Sequence, residues 1–127
     1  MPVVLWVALG GAIGSAARYG VNVWSGRMFG TEFPWHTPIL NVLGCFIMGV
    51  LTELIALKLH VGHETRAFLT TGILGGFTTF SAFSLDFAYL VERKQLAAAG
   101  SYALASVVIS LIAVFAGMNL IRTLYAA

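Results

Sequence analysis

The segment TTGILGGFTTFSAFS, residues 70–84, concentrates side chains that could do chemistry, and none of them is charged. Phe80 and Phe83 lie three apart and would share one helix face, while Ser81 and Ser84 share the adjoining one. A hydroxyl donates a hydrogen bond without carrying charge. The edge of an aromatic ring is electropositive and can also face an anion. Together they would suit a small, strongly hydrated anion that exchanges its water for weak donors. Weak donors let such an ion leave as well as enter. The same residues would equally serve as packing rings and as hydroxyls bonded back to helix carbonyls. Residue types alone leave both readings open.

Other uncharged polar groups recur in apolar surroundings. Asn41 carries two donors and an acceptor, so it must face protein or water, either as glue between helices or as a pore-lining donor. Tyr102, Ser106 and Ser110 recur every four residues and form a polar stripe on one helix face, which faces protein or water rather than lipid. Gly72, Gly75 and Gly76 are weak helix formers, and Gly75-Gly76 runs into Phe77-Thr78-Thr79, so a break is predicted near Gly75–Thr79. A break at membrane depth is tolerated only inside protein or beside a cavity. Its freed carbonyls could hold a cation such as sodium. An unbroken helix packed tightly on a neighbour is the alternative. Gly10 and Gly14 have the four-residue spacing that lets two helix backbones approach closely. Arg18 follows one turn later on that face, as an interfacial anchor or an anion contact.

The elements that must position these groups follow from composition. Of 127 residues, 59% are hydrophobic and 9% charged, far below the charged share of a soluble domain. Residues 1–17, 33–52, 67–85 and 95–121 contain no Asp, Glu, Lys or Arg. Four windows of that length predict a single all-α membrane domain over residues 1–127, with helices at about 2–24, 38–57, 66–91 and 97–124. The first window lacks the basic flank and cleavage site of a signal peptide. Short loops predict that sequential helices are antiparallel neighbours. Trp35, between Pro34 and Pro38, is read as an interfacial anchor.

Four spans put both termini on one side, with Lys58, Arg66 and Arg122; the other side has Arg27, Arg93 and Lys94, with Arg18 if it lies near the helix end. This near-balance gives the positive-inside rule no direction. It fits either a hidden small bias or insertion both ways with pairing as an antiparallel dimer. The net charge of +2, without a basic run, gives no reason to expect nucleic acid as a partner. Cys45, the sole cysteine, is read as apolar packing, and His36, His60 and His63 lack metal-site spacing. No nucleophile with a base, phosphate loop or paired carboxylates marks an enzyme.

Along nearly its whole length the chain resembles the Fluc (CrcB) fluoride channels. The matching pieces are GGAIGSAARYG, Asn41 with Gly44, TGILGGFTTFSAFS, and Tyr102, Ser106 and Ser110. The resemblance implies an antiparallel, dual-topology homodimer in the bilayer, with two pores that release fluoride passively and protect the cell. It implies a structural sodium ion (Na+) at the dimer interface, held by backbone carbonyls at Gly75 and Thr78. It puts Asn41, Phe80 and Phe83 in the pore, Arg18 near the end of the first helix, and Asp86 as the third helix's acid. Ala82 and Val114 stand where many members carry Thr, and the lost hydroxyls are expected to slow conduction without abolishing it. Rival readings are a small multidrug exporter, which would need a mid-membrane carboxylate that residues 1–17 lack, and a membrane assembly subunit without transport of its own.

Overall fold

The computed structural model describes residues 2–30, 33–58 and 60–125; Thr31 and Glu32 of the first loop and Leu59 of the second lie outside the described residues. Four helical spans are long and apolar enough to cross a membrane: Val3–Phe29, His36–Leu57, His63–Glu92 and Leu96–Tyr125. The first two are the continuous helices α1 (Val3–Phe29) and α2 (His36–Leu57). The third comprises α3 (His63–Ala67), a π-helical stretch (Phe68–Leu74), α4 (Gly75–Phe77) and, after a break, α5 (Ser81–Glu92). The last is α6 (Leu96–Tyr125).

Local chemistry sets the ends. α1 runs past the predicted boundary and stops at Gly30, whose φ of 79° suits glycine, and whose N–H bonds the Gly26 carbonyl at 3.0 Å. Pro38 does not delay α2, because in the first turn a missing N–H breaks no helical bond. Arg93–Gln95 turn the chain into α6, with Lys94 at a φ of 60°.

The break is displaced from the glycines. Gly75 and Gly76 are helical, and the chain first turns extended at Thr78, with φ −85° and ψ 159°. The reason is packing. A Cβ on Gly76 would stand 2.7 Å from the Gly11 carbonyl, and one on Gly72 would stand 2.9 Å from the Gly10 Cα. Those glycines admit α1, and the break comes just beyond them. The preceding π-helical stretch has wider turns than an α-helix and so rotates the later residues about the helix axis.

Short loops do not make sequential spans the closest neighbours. Adjacent spans run in opposite directions, but the tightest pairs are alternate and parallel: α1 on the first half of the third span, and α2 on α6. Backbone contact explains this. A side chain at Gly14 would overlap the Ile73 carbonyl, one at Gly49 the Val114 carbonyl, and one at Gly117 the Phe46 carbonyl. Small residues give close approach, and close approach gives most of the dispersion energy available between helices in lipid. At the end of the α2–α6 pair, Arg122 donates to Glu53 at 2.9 Å and Lys58 lies over the Tyr125 ring. The α2–α6 pair therefore gathers Glu53, Lys58 and Arg122 at one end.

A buried cluster at the opposite end joins α5 to α6 through Leu90, Ala99 and Tyr102, with Phe33 and Phe83 packed against it.

Gly14→Leu is expected to destabilise the folded protein by about 1–3 kcal/mol or more through overpacking. Gly20→Leu, where a Cβ meets nothing within 4 Å, is expected to cost no stability and to add up to about 1 kcal/mol through better helix propensity. Unfolding of both variants by denaturing detergent, followed by circular dichroism, measures the difference.

Candidate functional site

The break creates a local problem that Asn41 solves. A non-helical backbone needs partners for its N–H and carbonyl groups. The Asn41 Nδ2 donates to the Thr79 carbonyl at 3.0 Å, and the Thr79 N–H donates to Asn41 Oδ1 at 2.9 Å. One side chain thus replaces two helical hydrogen bonds. The Thr79 hydroxyl accepts the Ala82 N–H at 3.2 Å and lies 3.3 Å from Ser81 Oγ, so it caps the start of α5. The Thr78 hydroxyl donates to the Leu74 carbonyl at 3.0 Å and is thereby taken up by its own helix. Among the described residues, the carbonyls of Gly75 and Thr78 receive no hydrogen bond across the break.

The restart of the helix opens a groove of about 450 Å³ between α2, the third span and α6. Asn41, Gly75, Thr78, Phe80, Phe83, Ser106 and Ser110 all line it. Phe80 and Phe83 have ring centroids 5.6 Å apart, and Phe80 is 74% exposed. The hydroxyls of Ser106 and Ser110 are buried and have no hydrogen-bond partner. Two orphan hydroxyls in one wall are unexpected unless they serve a ligand or water.

Other predicted residues stand elsewhere. Ser81 and Ser84 lie on α5 and do not line the groove. Tyr102, from the same stripe as the serines, is only 2% exposed. Its ring stacks on Phe83 at 5.2 Å and 16°, behind the groove wall. Its hydroxyl donates to Asp86 Oδ2 at 3.0 Å, and the Thr37 hydroxyl donates to the same oxygen at 2.8 Å. His36 Nε2 is 4.0 Å from that oxygen. A carboxylate inside a span is thereby held by donors from two other helices.

Arg18 lines a separate cleft of about 160 Å³ with Ser15, Thr37 and Thr79. Gly10 and Gly14 make the α1 backbone contact. Ala82 borders the Arg18 cleft, and Val114 backs onto Gly49; neither lines the groove. Sequence reasoning missed Thr79, whose role requires knowing that Asn41 lies opposite. It also missed Cys45, which lines the groove rather than only filling space. The spacing of Asn41 and Cys45, one helical turn apart on α2, was the available signal.

The chain matches known proteins over nearly its whole length. A family model described as "CrcB-like protein, Camphor Resistance (CrcB)" matches residues 5–118. A protein of Agrobacterium fabrum named "Fluoride-specific ion channel FluC" is 55% identical over 119 residues, covering 94% of this chain and 95% of its own. One of the same name from Rhodospirillum centenum is 51% identical over 123 residues, covering 97% and 98%. "Fluoride-specific ion channel FluC 1" of Nitrobacter hamburgensis is 47% identical over 121 residues, covering 95% and 96%. With four membrane-spanning helices and a match over nearly all of its length, the chain belongs to the CrcB-like family of multi-pass membrane proteins.

Proposed function

We propose that this protein is a fluoride-selective channel that lets fluoride leave the cell passively, down its electrochemical gradient. The observation that carries the reading is the groove wall: two serines with buried, unpartnered hydroxyls belong to the wall of a groove that Phe80 and Phe83 also line. An anion there meets neutral donors and ring edges, with no fixed positive charge to trap it. The relatives' names supply the identity of the anion. Hydrogen fluoride that enters from acidic surroundings dissociates in the cytoplasm, and a passive path returns the trapped anion outside. A channel of this kind in a bacterial inner membrane protects the cell and needs no catalytic chemistry.

The groove is open on one side, and an ion path through lipid needs a closed wall. A second copy of the chain, inserted the other way up, would close it. Two features support this dual-topology homodimer: a groove with Asn41, Ser106 and Ser110 in its wall that one chain leaves open, and the balanced basic residues on the two sides. The uncapped carbonyls of Gly75 and Thr78 support a sodium ion between the two copies, as a structural element at the break. A Cβ at Gly75 would meet only the Thr70 carbonyl, at 3.7 Å, so that side of the helix is open to a partner. Tyr102 fits here as a positioning residue that holds Phe83 from behind, and Asn41 offers its second Nδ2 hydrogen to the groove.

Liposomes holding only this protein should release fluoride rapidly and chloride hardly at all, as read by ion-selective electrodes. Absence of fluoride release from folded protein would overturn the reading and favour an assembly subunit; release that requires a proton gradient would favour an exporter. Phe80→Ile and Phe83→Ile are each expected to lower fluoride flux by about tenfold or more, the loss of one ion contact of about 1.4 kcal/mol. Normal flux in both would reduce the rings to packing. Asn41→Asp should suppress flux further, since it sets a negative charge beside the path and deprives the Thr79 carbonyl of its donor; undiminished flux would put Asn41 outside the path.

A further inference from the structure

Cys45 is the chain's only cysteine, and it is half-buried in the wall of the groove. It follows Asn41 by one turn of α2, as Ser110 follows Ser106 on α6, and all four line the same space. The donors of that wall can be counted. Asn41 has one N–H and its oxygen engaged by Thr79. The Thr78 hydroxyl donates to Leu74, while that of Thr79 accepts the Ala82 N–H and can give its own proton to Ser81 Oγ, 3.3 Å away. The donors left over are the second Asn41 hydrogen, the hydroxyl of Ser106, and the adjoining Ser110 hydroxyl and Cys45 thiol, which lie within hydrogen-bonding reach of each other. Ser106 is 6% exposed and its hydroxyl has no partner, which points independently to a ligand at this place.

We propose that Cys45 is an anion-contacting residue of the groove, its S–H forming a donor site for fluoride together with the hydroxyls of Ser106 and Ser110. The inference rests on the channel reading above. A thiol is a weak donor, weaker than a hydroxyl. It would soften the binding between the polar wall and the apolar side chains of Val107 and Leu111, and so keep the ion moving. The same exposure makes Cys45 a modification site. Methyl methanethiosulfonate converts the thiol to a methyl disulfide: the Cys45 sulfur bonds the S-methyl sulfur, methanesulfinic acid leaves, and the thiol proton goes with it. The added S-methyl group replaces the donor with an apolar plug in the path.

The test uses full-length protein in liposomes. Labelling is quantified by intact mass, and fluoride efflux is measured before labelling, after it, and after reduction with dithiothreitol. Complete labelling is expected to cut fluoride efflux about tenfold, the effect of losing one hydrogen bond to an ion, with recovery on reduction. Cys45→Ser treated with the same reagent should match its own untreated rate, which assigns the block to this thiol. Cys45→Val, with no donor, should conduct more slowly than Cys45→Ser. Fully labelled protein that conducts as before would overturn the proposal. So would a thiol that reacts only after unfolding. Unlabelled wild-type protein that releases no fluoride would overturn the channel reading itself, a result distinct from conduction that ignores the label.

Discussion

The structure depends on a backbone break that hydrocarbon would not tolerate. At membrane depth an unpaired N–H or carbonyl has no water to turn to and costs several kcal/mol. The Asn41 amide answers Thr79 in both directions, at 2.9 and 3.0 Å. The Thr79 hydroxyl then starts α5 by accepting the Ala82 N–H. With that exchange in place, the chain can leave one helix and begin another. The new direction carries Phe80 and Phe83 to the groove. Without it, the third span would have to run straight or stand unsatisfied, and the groove would not exist in this form.

Glycines arrange the remaining helices around the break. Alternate spans approach backbone to backbone, Gly10 and Gly14 against the third span and Gly49 against α6. Contacts this close leave little interior volume between the described helices. The polar surface instead lies in an open groove at the side. That geometry is why a second copy belongs to the functional proposal: the chemistry is present in one chain, whereas its enclosure is not.

The one carboxylate in the membrane-spanning body of α5, Asp86, is used for positioning. It accepts hydrogen bonds from Thr37 of α2 and Tyr102 of α6. These charge-assisted bonds tie three helices together at one end of the groove. Through the stacked Tyr102 ring they also restrain Phe83. A partly buried carboxylate at such a place is costly unless its oxygens are satisfied, and the two hydroxyls supply that satisfaction. A second carboxylate within a span, Glu53, pairs with Arg122 at the opposite end, so neither acid adds a free charge to the groove wall.

The sequence by itself determined the four spans, because apolar runs between charged loops can do little but cross a membrane. It also marked Asn41, Phe80, Phe83, Ser106 and Ser110, since uncharged polar groups at helical spacing in apolar segments need a wet or protein-lined face. Tertiary structure alone decided which helices touch. Short loops suggested sequential neighbours, but the match of small residues across alternate spans depends on both surfaces at once. Likewise Gly75 and Gly76 signalled a break in the right region, yet its place was set by the contact with α1 and by Asn41 opposite Thr79. The split of the polar residues between groove, open surface and Asp86 tie, and the turn of Cys45 toward the groove, depend on how the helices are rotated around the π-helical stretch and the break. Local periodicity gives a residue's face. Which neighbour that face meets is decided only when all four helices have packed.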